Sequence, residues 1–102
     1  MVDPWFVYVL RCADGTLYCG VARDVAKRIA VHTAGKGARY TRGRGPFEKI
    51  ATRKCPSHGD ALRLEIAVKR LPRAEKEALV NVRAFRALQR SLGSAQQRKP
   101  VE

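Results

Sequence analysis

The sequence predicts an α+β domain, a three-stranded antiparallel sheet flanked by helices in the order β-β-α-β-α-α. Three observations predict it. Two short aromatic and β-branched runs, 5–12 and 16–22, flank an Asp14-Gly15 turn and read as a hairpin. A third run of strand character, 47–55, lies further on. Between and after these runs, apolar residues recur at helical spacing behind capping or proline signals.

In the first strand, Phe6, Tyr8 and Leu10 share one face and Trp5, Val7 and Val9 the other. The connection to the second strand decides whether Tyr8 and Tyr18 cooperate. A two-residue Asp14-Gly15 loop would pair Tyr8 with Val21 and put Tyr18 on the opposite face. A three-residue Ala13-Asp14-Gly15 loop pairs Tyr8 with Gly20 and Leu10 with Tyr18. Glycine at the third loop position suits a type I turn with a bulge, so the three-residue loop is expected.

Asp24 is placed to cap a helix over 25–33, where Val25, Ile29 and His32 fall on one face with Arg28 at its edge. An arginine beside a packing stripe calls for an anionic partner. Residues 34–46, AGKGARYTRGRGP, hold four glycines with Lys36, Arg39, Arg42 and Arg44, and no acid. This is expected to be an ordered basic loop whose backbone can approach a phosphate. Tyr40 within it could stack on a base or cap a hydrophobic edge.

In the third strand, Phe47, Lys49, Ala51 and Arg53 alternate against Glu48, Ile50, Thr52 and Lys54. A turn at 56–60 follows, with His58 on the surface and Asp60 as the expected cap of helix two. That helix spans about 60–71, with Ala61, Leu64, Val68 and Leu71 as its stripe. Glu65 falls on the stripe, where a carboxylate needs a cation, a metal or donors, or a surface pair with Lys69. Pro72 opens a third helix expected to run to about residue 90 on Ala74, Ala78, Val82, Phe85 and Leu88/Leu92. Residues 1–92 thus read as one domain and 93–102 as a polar, disordered tail.

The chain has 102 residues, room for one modest core, and its 45% hydrophobic content is that of a globular protein. Its net charge of +12 is not ordinary and points to a polyanionic partner, nucleic acid first. No run reaches the roughly 18 apolar residues of a membrane span, and the start lacks the basic region of a signal peptide. Three cysteines, Cys12, Cys19 and Cys55, fit no zinc spacing and read as free thilols of a reducing cytoplasm.

These motifs, in this order, resemble the GIY-YIG nuclease superfamily, over residues 5 to 90. Phe6-Val7-Tyr8 stands where the family has Gly-Ile-Tyr, and Tyr18-Cys19-Gly20 where it has Tyr-Ile-Gly. Arg28 and His32 match its Arg-x-x-x-His/Tyr helix. The GKGARYTRG loop and Ala61-Leu62-Arg63-Leu64-Glu65 are similar to the short stand-alone, YhbQ-like branch. Phe6 and Cys19 depart from the motifs, at positions without the proposed chemistry. Val21 stands where some relatives carry a lysine, and Asn81 has no assigned place in the site.

Tyr8, Tyr18, Arg28, His32 and Glu65 together suit phosphodiester hydrolysis, which needs an activated water and neutralised charge on the phosphate. One carboxylate argues for one divalent ion held mostly by waters and phosphate oxygens. The resemblance implies a DNA endonuclease in which Glu65 binds Mg²⁺ or Mn²⁺ and Arg28 stabilises the transition state. It implies that a tyrosine helps activate the water and that His32 supports it; the choice between Tyr8 and Tyr18 stays open. A free phenol has a pKa near 10, so a phenolate base requires a strong downward shift. The alternatives are a non-catalytic nucleic-acid-binding module, or a subunit that needs a protein partner for targeting.

Overall fold

In the computed structural model, which describes residues 4–92, Trp5–Arg11 forms β1, the middle strand of a sheet ordered β2-β1-β3. Leu17–Ala22 is β2 and Glu48–Cys55 is β3, both antiparallel to β1. The hairpin takes the three-residue loop. Tyr8 pairs with Gly20 and Leu10 with Tyr18, and Gly15 sits at φ +84°, the left-handed region the turn requires.

Helices cover both faces of the sheet. Val25–Thr33 is α1, capped by the Asp24 carboxylate, which accepts from Lys27 N. Its Val25 and Ile29 pack with Tyr8, Leu10, Ala22, Tyr18 and Phe47 on one face. His58–Lys69 is α2 and Val82–Leu92 is α4. Ala61, Leu64, Val68 and Phe85 from these two helices pack against Val7, Val9, Cys19, Ala51 and Cys55 on the other face. The three cysteines are buried and free. Among the described residues, no helix is long and apolar enough to cross a membrane.

Three expectations need correction. First, the strict alternation in the third strand fails. Val9 pairs with Ala51 but Leu10 with Lys49, so a bulge absorbs Ile50. The bulge reverses parity, which is why Phe47 and Ala51 pack on opposite faces. Second, α2 starts at His58, three residues earlier than a cap at Asp60 would place it. Ser57 is the cap: its Oγ accepts from Asp60 N at 3.1 Å and donates to the Asp60 carboxylate at 2.9 Å. His58, at the first turn, stacks on Trp5 with ring centroids 3.9 Å apart. Third, the helix expected from Pro72 to about residue 90 is two helices. Arg73–Ala78 forms a short α3, and Asn81 then caps α4 by accepting from Arg83 N at 2.8 Å. The break turns Leu79 into the core, while Ala74, Ala78 and Val82 are exposed. The expected tail, 93–102, lies outside the described residues.

Candidate active site

The two tyrosines meet because Gly20, the β2 residue paired with Tyr8, carries no side chain. A Cβ at Gly20 would stand 2.6 Å from the Tyr8 hydroxyl and 3.1 Å from the Tyr18 ring. The glycine of Tyr18-Cys19-Gly20 is therefore a gap through which the Tyr8 phenol crosses β2. The two rings lie 6.3 Å apart between centroids.

Helix α1 completes this face. His32 is 1% exposed. Its Nε2 lies 2.8 Å from the Tyr8 hydroxyl and its Nδ1 lies 2.8 Å from Thr41 Oγ1. Its ring also meets Tyr18 edge-on at 5.2 Å and Phe47 at 6.1 Å. A Cβ at Gly37 would overlap Nδ1, so the glycine-rich loop closes directly over the imidazole. Arg28, one turn earlier on α1, is close enough for its charge to act on Tyr8, Tyr18 and His32.

Burial dominates the electrostatics. It pushes the Tyr8 phenol up to about 12, with Tyr18 adding to the rise and Arg28 working against it. Tyr18 is likewise raised by burial, against the pull of Lys69 and Arg28. His32 is held below its ordinary 6.5 by burial and then by the Arg28 charge, so the ring is neutral at pH 7. The downward shift that a phenolate base requires is not what these surroundings impose on Tyr8.

Glu65 comes from the other helical layer. It reaches the edge strand β2, where its charge acts on Tyr18 and Cys19. Its side chain is 17% exposed and lies 3.5 Å from Lys69 Nζ, so the i, i+4 pair does form. Lys69 and Tyr18 also line a cavity of about 360 Å³ with Leu17, Cys19, Val68 and Lys76. Among the described residues, no three His, Cys, Asp or Glu side chains converge as a metal cage. Glu65 alone would fit a hard ion completed by water and phosphate oxygens rather than a tetrahedral protein-held zinc.

The basic loop contains a 3-10 turn, Arg39–Thr41. Lys36, Arg39 and Arg42 are exposed and have no acidic partner among the described residues. Arg44 differs: it bonds the Asp14 carboxylate at 2.5 Å, and its carbonyl accepts from Ala13 N at 2.7 Å. Arg44 therefore ties the loop to the hairpin turn. The Tyr40 side chain lies outside what is described. Thr41, 1% exposed, is the site neighbour that sequence reasoning missed. An uncharged threonine among arginines carries no signal of its own.

Comparison with known proteins shows the family of the chain. A model of the GIY-YIG catalytic domain matches residues 4–78. A UPF0213 protein of Nitratidesulfovibrio vulgaris is 53% identical over 76 residues, 74% of this chain and 69% of its own length. One of Halalkalibacterium halodurans is 51% identical over 78 residues, covering 76% and 83%. The solution structure of UPF0213 protein BH0048 from Bacillus halodurans superimposes with a TM-score of 0.51 at 45% identity, over 89% of this chain and 97% of that one. The solution structure of protein EF2693 from E. faecalis gives 0.56 at 33% identity, over 85% and 93%.

Proposed function

The chain belongs to the GIY-YIG catalytic-domain family, a nuclease family, and from that premise we propose that it is a metal-dependent endonuclease hydrolysing DNA phosphodiester bonds. The observation that supports this best is the 2.8 Å bond from the Tyr8 hydroxyl to a buried, neutral His32, with Arg28 beside both.

Tyr8, not Tyr18, is the tyrosine on the proton path. A phenol pushed up to about 12 is a poor phenolate but a good relay. Its oxygen takes a proton from the attacking water as its own proton passes to His32 Nε2. The phenol ends neutral and the charge rests on the imidazolium. Arg28 grips the phosphate with its planar fork and neutralises the charge gathered there. Tyr18 stands within reach of the charges of both Arg28 and Glu65. Glu65 holds Mg²⁺ or Mn²⁺, which when bound supplies Lewis-acid stabilisation of the phosphate and leaving oxygens.

Lys36, Arg39 and Arg42 engage the backbone of the nucleic acid, with Tyr40 among them available to stack on a base. Arg44 contributes chiefly by holding that loop on the hairpin. Three buried free thiols suit a reducing cytoplasm.

The test is incubation of the purified chain with supercoiled, linear and branched DNA in Mg²⁺, Mn²⁺ or EDTA, beside Glu65→Ala. Metal-dependent cleavage that disappears in the variant is expected. Salt-sensitive binding with no cleavage under any condition would replace the endonuclease with a non-catalytic binding module.

A further inference from the structure

We infer that Thr41 is a positioning residue that sets the tautomer of His32, and so makes Nε2 the atom that receives the Tyr8 proton. The inference rests on the proposed endonuclease for its effect on rate, but not for its effect on the ring. Thr41 Oγ1 lies 2.8 Å from the Ala38 carbonyl oxygen and 2.8 Å from His32 Nδ1. A hydroxyl has one proton. Two oxygens at 2.8 Å with no proton between them repel, and a carbonyl has none to offer. Thr41 must therefore donate to Ala38. Its lone pair then faces Nδ1, and only an Nδ1–H satisfies that contact. A neutral imidazole carries one proton, so Nε2 is left with its lone pair, aimed at the Tyr8 hydroxyl 2.8 Å away.

The arrangement is closed around the ring. His32 is 1% and Thr41 1% exposed. Gly37, from the same loop, lies against Nδ1 too closely to admit a side chain. Ala38 O also accepts from Thr41 N at 3.0 Å, which pins the threonine's backbone beside its own acceptor. With the opposite tautomer the Tyr8 oxygen could accept from Nε2–H, but Nδ1 would face the Thr41 lone pair with no proton between them, because the one hydroxyl proton is committed to Ala38. The proton chain Tyr8 to His32 thus has its direction imposed nine residues away, by an uncharged residue that never reaches the phosphate.

The decisive measurement is long-range ¹H–¹⁵N correlation of the histidine rings in the full chain, with His58→Gln to assign the His32 signals. The wild type and Thr41→Ser are expected to show protonated Nδ1 and bare Nε2 at pH 7.5. Thr41→Val, which keeps the shape and removes the hydroxyl, should lose the single tautomer. In cleavage assays Thr41→Val should lower kcat about 10- to 100-fold with KM unchanged, and Thr41→Ser should restore it. A wild-type ring protonated on Nε2 overturns the assignment, and this holds even where Thr41→Val fails to fold. So does an unchanged tautomer in Thr41→Val, or undiminished kcat. A wild type that shows the expected tautomer yet cleaves nothing refutes the endonuclease and leaves the ring assignment standing.

Discussion

Gly20→Ala tests the gap that brings the two tyrosines together. The new methyl would begin 2.6 Å from the Tyr8 hydroxyl and 2.7 Å from its Cζ, where ordinary contact starts at 3.4 Å. The phenol must retreat by about 0.8 Å, yet it is 1% exposed and bonded to His32 at 2.8 Å. Either Tyr8 leaves His32, or His32 follows it and leaves Thr41. Overpacking of this kind costs about 1–3 kcal/mol and a broken buried hydrogen bond about 0.5–1.5 kcal/mol, so together they cost about 1.5–4.5 kcal/mol. That is a large part of the roughly 5–15 kcal/mol of a small domain. Urea unfolding should show a lower midpoint at an unchanged slope. Gly59→Ala is the control. Nothing but the Ser57 hydroxyl, 3.9 Å away, meets a methyl there, and within α2 alanine should stabilise by up to about 1 kcal/mol. A Gly20→Ala variant as stable as wild type, with unmoved His32 resonances, would refute the close approach.

Three further outcomes follow from the same structure. His32 is held below 6.5, so between that value and its folded-state pKa the unfolded chain binds more protons than the native one. Stability must therefore fall as pH drops below about 6.5, and urea midpoints at pH 7.5 and 5 should differ less in His32→Gln than in wild type. Arg39→Ala and Arg42→Ala should each weaken DNA binding and reduce the slope of log K against log salt by about 0.9, read by fluorescence anisotropy across a salt series. Leu79→Ala, at a core position 3% exposed, should cost about 2–5 kcal/mol, while Val82→Ala, 60% exposed, should stay within about 0.5 kcal/mol. Equal effects at the two positions would restore the unbroken third helix.

How much was legible depended on whether the signal was local. The hairpin register followed from one glycine, because only a left-handed third loop residue gives the strands that pairing. Helix α1 followed from Asp24 and the 25, 29, 32 spacing. The split between α3 and α4 was hidden because Ala74, Ala78, Val82 and Phe85 keep helical spacing across the break. Periodicity counts residues and is blind to a chain that stops and restarts in phase. The usable signal was Asn81, a good cap standing before an apolar helix, read instead as a helix interior. The bulge at Ile50 had no comparable sign, since its cause is the pairing with β1. Glu65 stands out in the sequence because a carboxylate on a packing stripe is conspicuous, and its pair with Lys69 at 3.5 Å is the surface arrangement weighed beside a metal.

The two tyrosines show what no motif can carry. Both stand on the same face of the same hairpin, and their tripeptides give no reason to prefer either as the proton carrier. Their cross-strand partners separate them. Tyr18 faces Leu10, a full side chain, and its ring stays near Arg28, Lys69 and Glu65 at the sheet edge. Tyr8 faces Gly20, so its phenol crosses the strand and reaches His32. On the proposed reading, the burial that raises Tyr8 to about 12 favours a relay over a phenolate base, and a relay needs an acceptor of fixed polarity. Thr41, bonded to both Ala38 and Nδ1, is the residue we infer to give the imidazole that polarity. Choosing between the tyrosines thus requires a glycine two residues beyond the second one and a threonine in a loop rich in arginine. Neither bears on Tyr8 until the chain has folded.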